Sequence, residues 1–576
     1  MHLKHAMKRT VIIVLMAMAM VDTFAAITVN GQPATADLER GMLLCTVPEE
    51  CFGRPFTAVV ASDDPDDTVT VDGITAADGV YTFDDITHHR CHTIGVHNPQ
   101  ADHTLSLAFT FLPVVTLSGS FTDNYQPCTL TITLPGAATV DSISATGKHR
   151  GGITNQENSH KRNYHLKLVN KQGFKVNKPL LGMRDDNNWI LDAGQIDLAR
   201  IRNHVGMDLW REFSTPPCHS ASTPGVAGGV HSEFVEMFVN GSYQGLYSLG
   251  EAIDRKQLRL GKCDEDTGEI HGVLWKSVGW EAPVPMNFVR ADYDNYSDRW
   301  GGMELKYPDL DEVCPTDWTP LYEAAHFVAT SSDDAFRNHV AHYFDLPVMS
   351  DYYLLCQLLK AVDNRGKNMY WFIHDLAADK RISVAPWDLD ATAGQYWTNQ
   401  WTEINHDEVN PAVAMPMNHR LLDRLMSLNP GGFATQTLRR YWQLRASTFT
   451  PDSLITRYTA PIERLQYAGT AQRETARWSG DPDIACLTLD FDGQKALFRQ
   501  WFTLRIATLD QQFQYTEIRG DANGDRIVDV DDLNIIINRI TGQRQPATIV
   551  SDATGNGVVD VNDVHLVVNI MVGKDE

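Results

Sequence analysis

The sequence lacks several features that would assign it to common functional classes. After residue 26 it contains no run of about 18 apolar residues, so no membrane-spanning helix is predicted. It has no basic stripe, and its 49 Lys and Arg against 73 Asp and Glu give a formal charge of −24. This balance argues against a nucleic-acid partner. The 576 residues exceed what one hydrophobic core accommodates, so several domains are expected.

Cysteine is sparse and irregularly placed. The nine cysteines contain no C-x-x-C pair, which argues against a zinc site. Four of them, Cys45, Cys51, Cys91 and Cys128, fall in the N-terminal quarter. In an exported chain they allow one or two disulfides there. The histidines of HHRCH (88–92) have no second ligand cluster, which favours a loop over a metal site.

Residues 1–26 have the layout of a secretory signal peptide. A basic start is followed by a short apolar run from Thr10 to Val21 and then by small residues. The run is too short to cross a bilayer. We therefore expect a secreted or cell-surface protein.

The rest of the chain divides into three regions. Residues 27–111 contain short alternating runs such as TVTVDGIT, which predict an antiparallel β module. Residues 112–515 begin with strands and continue with helices, which predicts an α+β fold. Within them Asn240-Gly241, flanked by alternating apolar residues, predicts a tight hairpin. Residues 519–576 form a separate C-terminal module.

The C-terminal module contains a repeat. GDANGDRIVDVDDLNIIINRI and SDATGNGVVDVNDVHLVVNIM align at a spacing of 31 residues. Each copy places oxygen ligands at positions 1, 3, 5, 7, 9 and 12 of a loop that precedes an amphipathic helix. A loop of this kind can wrap Ca²⁺, so two calcium sites are predicted. Their ligands are Asp521, Asn523, Asp525, Ile527 (carbonyl), Asp529 and Asp532 in the first loop, and Asp552, Thr554, Asn556, Val558 (carbonyl), Asp560 and Asp563 in the second.

A second group of acidic and amide residues lies in DNRGKNMYWFIHDLAADKRISVAPWDLD (363–390). Asp363 and Asn368 have the D-x-x-x-x-N spacing of a kinase catalytic loop, without the preceding His-Arg. A strand, a polar turn and a returning strand would bring them beside Asp388 and Asp390. Such a cluster suits one or two Mg²⁺ or Mn²⁺ ions bound together with phosphate oxygens. Spacing alone leaves the phosphate-binding cation open among Lys161, Arg162, Lys276 and Lys306.

Residues 112 to about 515 resemble the spore coat protein H (CotH) family. The motifs that carry the resemblance are GKHRGG (148–153), KRNYHLKL (161–168), LLGMRDDNNWILDAGQID (180–197), RIRN (200–203), FVNGSYQGLYSLGEAIDR (238–255), GVLWKS (272–277), DNRGKN (363–368) and APWDLDATAGQ (385–395). The resemblance implies a two-lobed, atypical protein-kinase-like fold that uses ATP and a divalent metal.

The resemblance also assigns roles to residues. Lys276 becomes the phosphate-binding lysine, Glu251 its partner, and Asp363 the catalytic base. Asn368 and Asp388 become metal ligands, and Asp390 becomes either a ligand of a second metal ion or a residue that supports the first metal's ligands. Trp189, Asp192, Asp197, Arg200 and Asn203, in the other motifs, are expected to hold the fold rather than to act on substrate.

The terminal repeat resembles a dockerin module, which implies attachment to a cohesin-bearing scaffold or surface protein. Arg526 departs from the pattern where Gly usually makes the turn, and Thr554 is a weaker ligand than Asn.

Two classes of function follow. The first is an exported kinase that phosphorylates Ser or Thr of a protein substrate within a cellulosome-like complex. The second is a non-catalytic structural or adhesion component of such a complex. A carbohydrate-active enzyme is a weaker third hypothesis, because the sequence singles out no catalytic carboxylate pair.

Overall fold

The structure, a computed structural model, describes residues 25–87, 91–98, 102–137, 141–157, 159–226, 228–264, 266–308, 316–396, 406–481, 488–543 and 551–574. The predicted signal peptide therefore lies almost wholly outside the described residues, as do residues 88–90 of the histidine-rich segment. None of the described helices combines the length and the apolar composition needed to cross a bilayer.

The N-terminal region forms two small sheets. The first has the strand order β2 (Gln32–Pro33), β1 (Ile27–Val29), β5 (Phe56–Ser62), β7 (Val80–Phe83), and the second has β3 (Thr35–Asp37), β4 (Met42–Thr46), β9 (Asp102–Thr110), β8 (His92–His97), β6 (Thr68–Val71). The antiparallel prediction is wrong for one pair, since β4 and β9 run parallel with Leu43 opposite Leu107. Alternation of apolar residues indicates which face of a strand is buried. Parallel and antiparallel strands show the same alternation, so the pattern does not reveal the strand direction.

A seven-stranded closed barrel follows. Its strands, in order of pairing, are β10 (Val114–Gly119), β11 (Gln126–Thr133), β12 (Asp141–Arg150), β13 (Asn163–Leu168), β16 (Asn188–Asp192), β18 (Ser242–Glu251) and β17 (Ser232–Val239). Strand alternation sends Leu166 and Trp189 into an apolar interior and leaves His165 and Asn188 outside. The predicted hairpin is confirmed: Asn240 and Gly241 join β17 to β18 with φ of 50° and 77°.

A five-stranded antiparallel sheet stands beside the barrel. Its order is β20 (Arg299–Trp300), β21 (Met303–Tyr307), β19 (Val273–Ser277), β22 (Met369–Ile373) and β23 (Ser383–Pro386). A two-stranded ladder, β14 (Lys178–Pro179) and β15 (Asp185–Asp186), lies between β13 and β16 in the chain. In the five-stranded sheet, β22 and β23 pair antiparallel, which confirms the hairpin predicted within residues 363–390.

Helices dominate the second half of the described chain. They are α1 (Arg202–Phe213), α2 (Thr319–Thr330), α3 (Asp333–His339), α4 (Leu346–Leu359), α5 (Arg420–Leu428), α6 (Phe433–Arg445), α7 (Pro451–Tyr467), α8 (Thr470–Trp478), α9 (Phe491–Gln512), α10 (Val530–Ile540) and α11 (Val561–Met571). Helix α4 is buried along nearly its whole length, and it leads into Asp363. The mixed α+β architecture, with strands early and helices late, agrees with the prediction.

The N-terminal disulfides that the sequence allows are not formed in the described structure. Cys45, Cys51, Cys91 and Cys128 are all free thiols. Cys45 and Cys128 are buried in two different apolar clusters, so folding keeps them apart. A disulfide forms instead at Cys263.

Candidate functional site

A cleft of about 820 Å³ runs between the outer face of the barrel and the five-stranded sheet. It receives side chains from β12, β13 and β16 on one side and from β19 and β21 on the other. Five of the residues predicted to form a kinase-like site line it together: Lys276, Asp363, Asn368, Asp388 and Asp390.

Pairing of β22 with β23 brings the two ends of the acidic segment side by side. Met369 lies opposite Pro386, and the Trp387 amide donates to the Asn368 carbonyl at 3.0 Å. Both Asn368 and Asp388 have left-handed backbones, with φ of 55° and 60°. Non-glycine residues adopt this conformation at an energetic cost, and such residues cluster at functional sites.

Asp363 lies in a short 3₁₀ turn directly after α4 and is 8% exposed. Its Oδ2 accepts hydrogen bonds from Asn368 Nδ2 at 2.8 Å and from Lys367 Nζ at 3.1 Å. Among the described residues nothing donates to its Oδ1, so one carboxylate oxygen is available to a hydroxyl entering the cleft. The turn itself is held by Tyr352, whose hydroxyl donates to the Asn364 carbonyl at 2.7 Å.

Asp388 and Asp390 accept no hydrogen bond from any side chain or amide in the described parts of the chain. Burial raises the pKa of Asp388, and the positive charge of Lys276 opposes that rise. Burial raises the pKa of Asp390 well above its usual range, with a further contribution from the Asp388 carboxylate. Unsatisfied carboxylates in a desolvated site are poised to accept a cation.

Lys276 lies on the side of the cleft that is formed by the five-stranded sheet. Its Nζ lies 5.7 Å from the ring centroid of Tyr370 and 5.6 Å from that of Trp387. Burial lowers the pKa of Lys276 to about 8, and the Asp388 carboxylate opposes this shift. In the described structure Lys276 makes no ion pair within 4 Å, which leaves its charge available to a ligand.

Arg150 was missed by the sequence reasoning and faces this group from the barrel. Its guanidinium lies 5.4 Å from the Trp387 ring centroid, and its charge lowers the pKa values of both Lys276 and Asp388. The motif GKHRGG indicates only the strand face: alternation puts Lys148 and Arg150 on the outer face of β12, opposite His165 and Asn163 of β13. It does not indicate which sheet this face meets.

Asn203 connects the barrel to the acidic turn. Its Oδ1 accepts from the Leu389 amide at 3.0 Å, and its Nδ2 donates to Asp192 Oδ2 at 2.6 Å. Arg202 and Asp197 form a buried ion pair at 2.5 Å, and Trp189 fills the barrel interior. These contacts match the structural role that the sequence predicted for these motifs.

Glu251 lies apart from Lys276 in this arrangement. Its carboxylate approaches Arg184 Nε at 3.6 Å and accepts from the His231 amide at 3.2 Å. The predicted Glu251–Lys276 pair is therefore not formed in the structure. β18, which carries Glu251, belongs to the barrel, whereas β19 belongs to the five-stranded sheet.

The other three candidate cations are either paired with a carboxylate or absent from the described lining of the cleft. Lys161 is fully buried in an ion pair with Glu474 at 2.8 Å, where burial lowers its pKa. Lys306 lines the cleft but pairs with Glu304 at 2.9 Å. Arg162 is absent from the described lining of the cleft. Geometry thus favours Lys276 and Arg150 as the cations free to meet an anionic ligand.

The two terminal loops share one pattern of internal hydrogen bonds. We refer to residues 521–532 as loop 1 and to residues 552–563 as loop 2. Asp521 accepts from the Gly524 amide at 2.6 Å, and Asp552 accepts from the Gly555 amide at 2.7 Å. The position-12 carboxylates accept from the amides of Asp529 and Asp560 at 2.9 and 2.8 Å, so each caps its own helix.

The donor atoms of both loops are hard oxygens, which fit Ca²⁺. In each loop the predicted ligands lie on the same turn: Asn523 and Asp525 in loop 1, and Thr554 and Asn556 in loop 2. Ile527 and Val558, whose backbone carbonyls are also predicted ligands, follow them. Arg526 adopts φ of 73°, so it makes the turn where glycine is usual. Within the described chain no three His, Cys, Asp or Glu side chains converge tightly enough to hold a metal by themselves. Amide, carbonyl or phosphate oxygens would have to complete each shell.

A cleft between the barrel and the five-stranded sheet therefore combines carboxylates, an amide and cations on an α+β scaffold. The family model described as CotH kinase protein matches residues 148–485, more than half of the chain. The protein belongs to this family. No curated protein matches the sequence significantly.

Proposed function

We propose that the protein is a kinase that transfers the γ-phosphoryl group of ATP to a Ser or Thr hydroxyl of a protein substrate. The observation that carries this proposal is the convergence of Lys276, Asp363, Asn368 and Asp388 in one cleft. The barrel and the helical region with its sheet would be the two lobes that enclose the nucleotide.

The side chains have complementary roles in this reaction. Asp363 Oδ1 accepts the proton of the substrate hydroxyl while the hydroxyl oxygen forms a bond to the γ-phosphorus. The bond between that phosphorus and the β–γ bridging oxygen breaks, and ADP leaves. Lys276 and Arg150 neutralise phosphate oxygens from opposite walls of the cleft, so that the departing charge is stabilised.

Asn368 and Asp388, with Asp390 beside them, would hold Mg²⁺ or Mn²⁺. The metal would supply charge neutralisation for the phosphates. The Asn368 Nδ2 atom is engaged by Asp363, which leaves the amide oxygen for this purpose. The three positions supply only oxygen ligands, as these cations prefer.

We further propose that the protein is exported and that the C-terminal module is a dockerin. Loops 1 and 2 would each bind Ca²⁺, and helices α10 and α11 would present a surface to a cohesin-bearing scaffold. The support is the repeated ligand pattern and the matched hydrogen bonding of the two loops.

The kinase proposal is tested with purified full-length protein, γ-labelled ATP, and Mg²⁺ or Mn²⁺. We expect metal-dependent incorporation of label into protein, and its loss in Asp363→Ala and Asp388→Ala. ATP with metal should also raise the melting temperature of the wild-type protein. Absence of both label and thermal shift would overturn the kinase and support the non-catalytic structural component instead.

A further inference from the structure

Loop 1 is held by side chains of the kinase-like domain. Three donors near or on α6 reach backbone carbonyls of the loop. Arg439 Nη2 donates to Asp521 at 2.7 Å, Gln436 Nε2 donates to Asn523 at 2.9 Å, and Asn429 Nδ2 donates to Gly524 at 3.3 Å. Each donor therefore contacts a different peptide group of the loop.

The two surfaces approach closely at two glycines. A Cβ on Gly432 would lie 2.2 Å from the Asn523 carbonyl oxygen. A Cβ on Gly524 would lie 2.8 Å from Gln436 Nε2. Both glycines also have left-handed backbones, which favour glycine. At Gly432 the backbone contact excludes a side chain as well, whereas at Gly524 a side chain would displace the Gln436 amide.

The segment that leads into loop 1 is fastened to the same helix. Trp442 Nε1 donates to the Phe513 carbonyl at 2.8 Å, and Arg439 pairs with Glu517 at 2.5 Å. Arg439 is 4% exposed, so its charge is compensated within this junction. The connection between the two modules is thus a packed interface over this stretch.

Loop 2 provides a contrast within the same molecule. Its glycine at the equivalent position, Gly555, has no heavy atom within 4 Å of a built Cβ and is exposed. Asp521 is 2% exposed, whereas Asp552 is partly open to solvent. Among the described residues, the hydrogen bonds of loop 2 join its own residues or come from Arg519.

We propose that Ca²⁺ bound in loop 1 fastens the C-terminal module to α6 of the kinase-like domain, a role that loop 2 does not share. This inference rests on the proposed calcium function of the loops. Loop 1 would then serve as a calcium-dependent structural joint, in addition to supporting its own helix.

The physical basis is linkage between metal binding and carbonyl positions. Without a cation, the carboxylates of Asp521, Asp525 and Asp532 repel one another and favour a looser loop. Ca²⁺ removes that repulsion and fixes the peptide groups that Arg439, Gln436 and Asn429 contact. Because linkage is reciprocal, the neutral donors Gln436 and Asn429 in turn raise the calcium affinity of loop 1.

Helix α6, which contacts loop 1, also packs against the helix next to the candidate site. Helix α6 contacts α4 through Thr437 and Ser350, whose hydroxyls lie 2.9 Å apart, and Arg440 pairs with Asp351 at 3.1 Å. Helix α4 ends just before Asp363. Helix α6 therefore links loop 1 by direct contacts to the helix that leads into the proposed catalytic base.

The test compares matched position-12 variants in the full-length protein, Asp532→Asn in loop 1 and Asp563→Asn in loop 2. Hydrogen–deuterium exchange is followed over residues 433–445 with Ca²⁺ or with chelator. We expect Ca²⁺ to slow exchange in α6 by at least about tenfold in the wild type and in Asp563→Asn. The effect should disappear in Asp532→Asn.

A second pair of variants tests the same joint from the other side. Gln436→Ala removes one hydrogen bond to loop 1. Titration calorimetry should show that it lowers the calcium affinity of loop 1 about fivefold and leaves the calcium affinity of loop 2 unchanged. Gln443→Ala, an exposed glutamine on the same helix, is the control. If both loops bind Ca²⁺ while α6 exchange and the Gln436→Ala affinities are unaffected, the joint is overturned and the calcium function stands. If neither loop binds Ca²⁺, both are overturned.

Discussion

The cleft and the terminal loops both gather carboxylates, but they draw them from different distances along the chain. Each terminal loop takes its proposed ligands from 12 consecutive positions, and backbone amides hold the carboxylates in place. The cleft combines Arg150 of the barrel with Lys276 of the sheet and with Asp363 and Asp388 from the two ends of a hairpin. Local sequence can encode the first arrangement, whereas the second exists only when two sheets are placed side by side.

The largest expected effect is on the cleft, from removal of its proposed base. Asp363→Ala should lower phosphoryl transfer by about 10²- to 10⁴-fold, because proton transfer to a positioned base contributes that much. Asp379→Ala, on the turn of the same hairpin, is the matched control and should retain activity. Initial rates with labelled ATP measure both. Equal rates in the two variants would remove Asp363 from the reaction.

The second effect concerns the residue that only the tertiary structure revealed. Arg150→Ala should weaken ATP binding by about 10- to 100-fold, the cost of losing a hydrogen bond to a charged group. Arg162→Ala, at the residue directly before β13 and outside the described lining of the cleft, should leave affinity unchanged. Calorimetric titration with a non-hydrolysable ATP analogue compares them. The reverse order of affinities would contradict the assignment of the barrel wall.

A third effect follows from the depressed pKa of Lys276, about 8 in the free cleft. The ammonium is charged below that value and loses its proton as pH rises through it. Nucleotide affinity should therefore be highest below pH 8 and fall by up to about tenfold per pH unit above it. Lys276→Arg should remove this pH dependence, because a guanidinium stays protonated. Identical pH profiles for wild type and variant would exclude Lys276 as the titrating contact.

The smallest effect sharpens the contrast between the two loops. Gly524→Ala and Gly555→Ala share the cost of a left-handed backbone, about 1 kcal/mol. Gly524 alone meets α6, so its variant should lose more calcium affinity, by a further ~1 kcal/mol. Titration of each loop with Ca²⁺ measures the difference. Equal losses would mean that loop 1 is as independent of the kinase-like domain as loop 2.

Sequence predicted best what is local or set by strand periodicity. The turn at Asn240-Gly241, the hairpin β22–β23 and the helix after each terminal loop all follow from patterns within about ten residues. The convergence of Asp363, Asn368 and Asp388 followed from that hairpin alone. Lys276 was selected from four candidates by family resemblance, which the strand pattern could not replace.

What sequence did not predict depends on which sheet each strand joins. Arg150 faces the cleft only because the barrel closes with β12 toward the five-stranded sheet, and Glu251 contacts Arg184 because β18 belongs to the barrel. The parallel β4–β9 pair and the separation of Cys45 from Cys128 have the same origin. These features are long-range, and alternation of side chains along one strand contains no information about them.

The central claim, that the cleft is a nucleotide site built from both sheets, is tested most directly by a crystal structure with Mg²⁺ and a non-hydrolysable ATP analogue. We expect phosphate oxygens between Lys276 and Arg150, with the metal on Asn368 and Asp388. A nucleotide bound elsewhere, or a cleft that remains empty at saturating nucleotide, would contradict it.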